Sequence, residues 1–314
     1  MKSILAFDDV WFGGIVAFVY GLALGSFLNV CIYRLPRGLS VVRPSSACPS
    51  CAAKVKPYDN IPVISWLLLG GRCRACKHPI SPRYMIVELL TAFFFVLSVV
   101  VFGFGLAGLK YSIFSFLLIG LVFIDAEHKL LPDKLTLPGF ALGVIFSLLV
   151  ALDGPMAYIL AFNLPSLPVP DLMWRLISLG EALVGAGVGA LFIWGAGAIY
   201  KRVRGVEGMG FGDVKLMAMV GAFLGIKLTL FTLMLGSITG ALAGSVAMLV
   251  VYAKRSARRR SAGEPAAKAK GRAWESAQLV MRHYEMPFGV FLGSAALFAG
   301  FFGQPLVGWY FGLF

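Results

Sequence analysis

Two aspartates stand where long apolar stretches of the chain meet polar sequence. Asp125 closes one apolar run, and Asp213 lies inside the glycine-rich string 208–216. An ionisable residue at membrane depth is costly, so such a residue is a candidate for function. Two carboxylates brought together share a proton and activate a water molecule, which is the chemistry of aspartic proteases. We therefore predict that Asp125 and Asp213 are catalytic.

Each of these acids also has a purely structural interpretation. Asp125 could end a helix and face the water of the lipid headgroups, and Asp213 could cap the next helix. Asp133, which follows Pro132, is predicted as the cap of a later span. A nucleotide-binding loop around Asp213 would require a preceding strand, but an apolar span precedes it.

Four of the five cysteines form two CxxC pairs separated by 21 residues. Four thiolates in this arrangement suit a tetrahedral zinc ion, and they leave no open position for catalysis. We predict a structural zinc site. Two disulfides are the alternative, which a cytoplasmic location disfavours because thiols stay reduced there. The predicted ligands are Cys48, Cys51, Cys73 and Cys76.

The composition is that of a membrane protein. Of the 314 residues, 59% are hydrophobic and 14% are charged, with a mean hydropathy of +0.85. Soluble domains carry about 25% charged residues, and about 20 apolar residues span a bilayer. We predict an all-α polytopic membrane protein of about eight transmembrane helices, with a small zinc-ribbon-like subdomain between helices 1 and 2. The predicted spans lie near 10–32, 84–104, 109–124, 136–152, 174–200, 214–226, 228–252 and 287–313.

The chain divides into three predicted parts: a first transmembrane helix at 1–32, a zinc-binding subdomain at 33–83 and a transmembrane domain at 84–314. The subdomain is too small and polar to build a large core, so zinc would hold its halves together around a turn and short helix at 60–66. Ser, Ala, Lys and Arg dominate much of 253–286, which predicts a flexible basic loop.

Charge predicts the orientation of these parts. All but four of the 28 Lys and Arg residues lie in the polar segments 33–83, 125–135, 201–215 and 253–286. The positive-inside rule then places the N-terminus outside the cytoplasm and the zinc subdomain inside it. Topology thus explains the net charge of +13, and we predict contact with the lipid bilayer rather than with nucleic acid.

A series of motifs then runs along the chain in order. They are GSFLNV at 25–30, YRLP at 33–36, the two CxxC pairs, ISPRY at 80–84, LPDKLTLP at 131–138, GMGFGDVKL at 208–216 and MPFG at 286–289. Together they resemble the bacterial type IV prepilin peptidases, which belong to the GxGD intramembrane aspartyl proteases. The resemblance covers nearly the whole chain.

The resemblance implies a bacterial inner-membrane enzyme with a cytoplasmic active site. Such enzymes cut the basic leader from type IV prepilins and type II secretion pseudopilins, and many methylate the new N-terminus with S-adenosylmethionine. The family's catalytic aspartates correspond to Asp125 and Asp213. For methyl transfer the resemblance points to the region 71–88, where Arg72, Arg83 and Glu88 are the candidates.

Another class of membrane protein remains open on the residues alone. A transporter could use Asp125 and Asp213 as an ion or proton relay. Such a relay explains the intramembrane acids but not the paired cysteines. A non-catalytic assembly scaffold would tolerate the loss of both aspartates.

Overall fold

The computed structural model describes residues 2–152, 154–156, 171–205, 210–283 and 286–311. Within these ranges the chain is almost entirely helical, with two isolated β-bridges and no strand, as the all-α prediction requires. The helices are α1 (Lys2–Arg34), α2 (Ile64–Leu68), α3 (Arg83–Phe102), α4 (Leu106–His128), α5 (Asp133–Leu149), α6 (Asp171–Arg204), α7 (Phe211–Ser261), α8 (Ala266–His283) and α9 (Phe288–Phe311).

Six helices in the described ranges are long and apolar enough to cross a membrane: α1, α3, α4, α6, α7 and α9. Of these, α7 contains the sixth and seventh predicted spans, because Gly225 breaks it with φ 73° and ψ 177°. The 17-residue α5 corresponds to the fourth predicted span. The protein is therefore polytopic, and the prediction of about eight crossing segments agrees with its helices.

The core lies where α7 packs against α5, α6 and α9, and where α4 and α1 contribute side chains to the same buried cluster. Leu28 of α1, Leu118 of α4 and Leu292 of α9 are fully buried in one cluster with Phe223 of α7. Because lipid tails are as apolar as these side chains, close packing must stabilise this arrangement. The ring centroids of Phe114 and Phe223 lie 4.9 Å apart. Because α7 is packed among these helices, Asp213 in its first turn is buried.

The segment between α1 and α3 that carries the four paired cysteines, called the zinc subdomain after its predicted ligand, has almost no core. Ser65 and Gly71 are its only buried residues between 33 and 82. The predicted turn and short helix are confirmed as a 3₁₀ turn, Pro57–Asn60, followed by α2. Each CxxC loop is closed by one antiparallel bridge, and the two bridges are Ala47 with Lys54 and Arg72 with Pro79.

The described part of 253–286, where the sequence predicts a flexible basic loop, is mostly helical. α7 continues to Ser261, and α8 then runs back along it. Ala269, Ala273 and Ala277 are fully buried, since small side chains at this helical spacing let two helices approach closely. Much of the segment is therefore a helical hairpin.

Candidate active site

Asp125 lies in the last turn of α4, and its side chain is only 5% exposed. The helix ends three residues later, at His128, because Lys129 adopts a left-handed conformation (φ 53°) and donates its N–H to the Asp125 carbonyl at 2.8 Å. The Oδ2 atom of Asp125 accepts a hydrogen bond of 2.9 Å from the backbone N–H of Val290, at the start of α9. This carboxylate is held by two helices that are distant in sequence.

Asp213 lies in the first turn of α7 and is 7% exposed. Gly210 occupies the N-cap position of that helix with an extended backbone. Asp213 is therefore inside the helix rather than at its cap. Gly212, the residue before it, and Gly289, beside the Asp125 carboxylate, both lie against Leu131, so the fold brings together the segments that carry the two predicted catalytic residues.

Leu131 packs between the segments that carry the two aspartates. A Cβ atom built on Gly212 would lie 2.9 Å from the Leu131 Cβ, so no side chain fits there. A Cβ on Gly289 would lie 2.9 Å from the Asp125 Oδ2 and 3.1 Å from the Leu131 Cδ1. The α4–α5 connection, the start of α7 and the start of α9 thus meet at one point.

Two buried carboxylates at one point have a definite chemical capacity. Like charges that lie close together in a poorly solvated site cannot both be ionised at low cost, so such a pair is suited to share one proton. One member can then accept a proton from water while the other donates a hydrogen bond to a carbonyl oxygen. This arrangement suits hydrolysis of a peptide bond.

Asp133 lies in the predicted N-cap region of the fourth span, as the first residue of α5. Pro132 occupies the N-cap position of α5, and the cap makes no side-chain hydrogen bond. Asp133 instead forms an ion pair of 2.6 Å with Lys215, two residues after Asp213. This exposed pair links α5 to the helix that carries one of the aspartates.

The three candidates for methyl transfer make contacts with protein groups. Glu88 is 7% exposed, and its Oε2 accepts a hydrogen bond of 2.7 Å from the N–H of Val63. Arg83 forms an ion pair with Glu127 of α4. Arg72 contributes the bridge that closes the second CxxC loop. Glu88 and Arg83 are therefore engaged in holding elements together, and their contacts assign them no step of methyl transfer.

Arg83 and Glu127 belong to a small polar network that the sequence did not predict. His128 Nε2 lies 3.5 Å from Arg37 Nη1, next to the pair of Glu127 with Arg83. The network joins both ends of the zinc subdomain to the end of α4, three residues beyond Asp125. Long-range pairs of this kind leave no periodic signal in the sequence.

The four predicted zinc ligands lie together. Their sulfur atoms are all within 4.8 Å of one another, and those of Cys48 and Cys76 are 3.8 Å apart. Zinc–sulfur bonds of about 2.3 Å in a tetrahedron separate the sulfurs by about 3.8 Å, so the donor set fits zinc. Backbone hydrogen bonds from Cys51 and Ser50 also lower the pKa of the Cys48 thiol to about 6. All four cysteines are free, and Cys31 is buried apart from them in α1.

One contributor to the site was not singled out from sequence. The main-chain N–H of Val290 binds Asp125, but a backbone donor is invisible to residue-type reasoning. The feature of the sequence that could have indicated Val290 is its position directly after the MPFG motif. The same motif contains Gly289, whose missing side chain allows Asp125 to approach.

Comparison with known families agrees with this geometry. A family model described as the bacterial peptidase A24 N-terminal domain matches residues 19–102. A second, described as the type IV leader peptidase family, matches residues 111–245, which include both aspartates. No solved structure gives a significant match.

Individual relatives extend the similarity along the chain. A prepilin leader peptidase/N-methyltransferase of Aeromonas hydrophila is 32% identical over 330 residues, covering 98% of this chain and 96% of the relative. Enzymes of the same name from Pseudomonas aeruginosa and Klebsiella pneumoniae are 36% and 39% identical, covering 72% and 71% of this chain. They cover 78% and 90% of those relatives.

Proposed function

The chain belongs to the type IV leader peptidase family, and from this we propose that it cleaves the short basic leader from type IV prepilins and type II secretion pseudopilins. The observation that carries the proposal is the meeting of Asp125 and Asp213 at the buried junction of α4, α7 and α9. The transporter alternative is not supported, because the relatives that match along most of the chain are named as peptidases.

In the proposed mechanism the two aspartates share one proton. The ionised member takes a proton from water as that water attacks the scissile carbonyl, and the protonated member polarises the carbonyl oxygen. The Val290 N–H fixes the Asp125 carboxylate during this step. The pair titrates as a unit, so the acid and base roles belong to the dyad as a whole.

The proposed orientation puts the N-terminus in the periplasm and the aspartates at the cytoplasmic face of the bacterial inner membrane. Asp125 and Asp213 lie at the ends of their helices that adjoin the basic segments 125–135 and 201–215. The positive-inside rule assigns these segments to the cytoplasm. The basic leader of a substrate would then stay in the cytoplasm while its apolar helix remains in lipid.

The cysteine cluster is the proposed site of a structural zinc ion. Four thiolates would complete its coordination, so the metal would stabilise the subdomain and take no part in peptide hydrolysis. A segment with so few buried residues needs such a link, because its side chains bury little apolar surface.

The second proposed activity is N-methylation of the new N-terminus. S-adenosylmethionine would supply the methyl group when bound. The proposed location is the region 71–88, where Glu88 and Arg83 position the subdomain against α3 and α4 and Arg72 closes the second CxxC loop. No residue of this region is assigned a proton transfer.

The experiment uses purified enzyme in nanodiscs with a prepilin substrate, with and without S-adenosylmethionine, followed by intact-mass analysis. We expect loss of the leader mass in both reactions. The cofactor should add the mass of one methyl group in place of a hydrogen. An unchanged substrate mass would reject the peptidase, and a cleaved product that never gains the methyl would reject the second activity alone.

A further inference from the structure

An uncharged apolar stretch interrupts the basic zinc subdomain. Residues 60–71 contain no charged side chain, whereas Asp59 and Arg72 flank them directly. Apolar runs of about 10 to 14 residues are too short to span a bilayer and are typical of buried or interfacial segments. This stretch includes α2, and it is not buried in the protein.

The short helix α2 has its polar contacts inside and its apolar side chains outside. Ser65 is buried and donates a hydrogen bond to the Tyr58 carbonyl, and Trp66 donates to the Ile80 carbonyl. Ile64, Leu67 and Leu68 are instead 54%, 59% and 81% exposed. This pattern is the reverse of a helix that faces water.

A hydrogen bond determines how deep this helix lies. The Val63 N–H, just before α2, binds the carboxylate of Glu88 at 2.7 Å. Glu88 is the fifth residue after Arg83, so its Cα lies about 7.5 Å inside the end of α3. A 20-residue helix matches a hydrocarbon core of about 30 Å. The hydrogen bond to Glu88 therefore places Val63 near the boundary between headgroups and acyl chains.

A second helix gives the same depth for Glu88. A Cβ atom built on Gly25 of α1 would lie 2.7 Å from the Glu88 Cα, so the two backbones are in contact. Gly25 is seven residues before Ile32, where the apolar part of α1 ends, which corresponds to about 10 Å along the helix. The lengths of α1 and α3 thus both place the hydrogen bond between Val63 and Glu88 inside the membrane boundary.

Lipid-facing surface is also available on α3 near this tie. Ile86 and Leu89, which flank Glu88, are 48% and 42% exposed, and Phe93 one turn further is 57% exposed. In a transmembrane helix these side chains face acyl chains. The exposed side chains of α2 can extend this lipid-facing surface of α3, because the hydrogen bond between Val63 and Glu88 joins the two helices.

We propose that residues 61–68 form an apolar lip that inserts into the cytoplasmic leaflet, with Ile64, Leu67 and Leu68 against lipid acyl chains. The lip holds the zinc subdomain on the membrane rather than free in the cytoplasm. Val63 supports this role, because a β-branched residue adopts φ 61° to direct its N–H at Glu88. The proposal concerns lipid contact and stands independently of the peptidase activity.

Site-specific photocrosslinking tests the lip in nanodiscs made from ordinary phospholipids. A benzophenone amino acid replaces Leu67 or Leu68 in one set of full-length variants, Phe93 in a positive control and Tyr58 in a negative control. Tyr58 is a matched control because it is 53% exposed on the same subdomain but contacts the cationic groups of Lys56 and Arg74. Bound zinc is measured in every variant to confirm that the subdomain is folded.

We expect lipid adducts at positions 67 and 68 with yields within about twofold of that at 93, and at least tenfold above that at 58. Equal, low yields at 67, 68 and 58 would overturn the proposal. Adducts of 67 or 68 with a protein added as substrate, in place of lipid, would also overturn it and assign the lip to a protein partner.

Hydrogen exchange of the backbone amides gives a second test. Amides 64–68 should exchange more slowly in nanodiscs than in a short-chain detergent, and equal exchange rates would reject insertion.

Discussion

The aspartate junction and the cysteine cluster are built in opposite ways. Asp125 and Asp213 come from helices whose packing buries both carboxylates, and Val290 from a third helix holds one of them. The four cysteines come from two local loops, and they remain half-buried or exposed in a segment that buries almost nothing. The first arrangement depends on the whole membrane core, and the second depends on four sulfur atoms.

Because of this difference, a substitution should affect the two regions in different ways. Changing one aspartate removes a proton acceptor but leaves the apolar packing of α4 and α7 in place. Removing one cysteine would remove a ligand of the proposed zinc ion from a subdomain that has no core to replace it. The two kinds of change should therefore have different readouts, one in chemistry and one in local folding.

The largest effect is expected from the dyad. Asp125→Asn and Asp213→Asn should each lower the rate of leader cleavage about 10³-fold or more, because the amide cannot take the proton of the attacking water. Rates are measured with a prepilin in nanodiscs. Circular dichroism should show unchanged helix content, and either variant retaining substantial activity would contradict the dyad.

Zinc removal should affect the other region. Chelation, or Cys48→Ser, should unfold much of 33–82 while the membrane helices stay folded, because structural zinc contributes directly to folding. Hydrogen exchange would show fast exchange confined to the subdomain, with leader cleavage reduced less than tenfold. Metal analysis of wild type should give about one zinc per chain. A purified protein without metal and with disulfide-bonded sulfurs would overturn the zinc assignment.

Gly289→Ala probes how closely α9 must approach the dyad. The added methyl group would lie 2.9 Å from the Asp125 Oδ2, so the carboxylate or the helix must move. A displacement of about 1 Å at a reacting group costs up to about a hundredfold in rate, and we expect a loss of ten- to a hundredfold. Gly187→Ala is a suitable control, since no atom lies within 4 Å of a Cβ there. Equal rates for both variants would contradict this geometry.

Glu88 distinguishes positioning from direct participation in methyl transfer. Glu88→Gln keeps an oxygen that can accept the Val63 N–H, whereas Glu88→Ala leaves that donor unpaired. If Glu88 positions the subdomain, methylation should fall several-fold more in the alanine variant, with leader cleavage nearly unchanged in both. An equal loss in both variants would instead indicate that the negative charge itself is needed.

The smallest effect is expected at Asp133. Its ion pair with Lys215 is exposed, and such pairs contribute about 0–1 kcal/mol. Asp133→Asn should keep cleavage within about threefold of wild type. A loss comparable to that of Asp213→Asn would show that the neighbouring pair takes part in the chemistry.

Much of the architecture was predictable because apolar length and motif order are local properties of the sequence. The spans, the cysteine cluster and the meeting of the two aspartates follow from such patterns. The helical hairpin was missed because Lys, Arg and Ser dominate its composition. The burial of Ala269, Ala273 and Ala277 at a helical spacing shows the periodic signal that this composition concealed.

The contacts between distant elements could not be predicted. Arg83 with Glu127, Asp133 with Lys215 and Val63 with Glu88 each join segments whose proximity depends on how helices pack. One sequence shows the residue types but not which partners meet. For the same reason the sequence predicted all of 33–83 in the cytoplasm, and the proposed lip at 61–68 depends on the contact between Val63 and Glu88, which the sequence does not show.

One measurement tests the central claim most directly: the intact mass of a prepilin co-expressed with wild type, Asp213→Asn or Cys48→Ser. We predict a cleaved and methylated product for wild type and full-length prepilin for Asp213→Asn. For Cys48→Ser we predict cleaved product with little methylation. Cleaved prepilin in cells that hold only the inserted and folded Asp213→Asn enzyme would contradict the account.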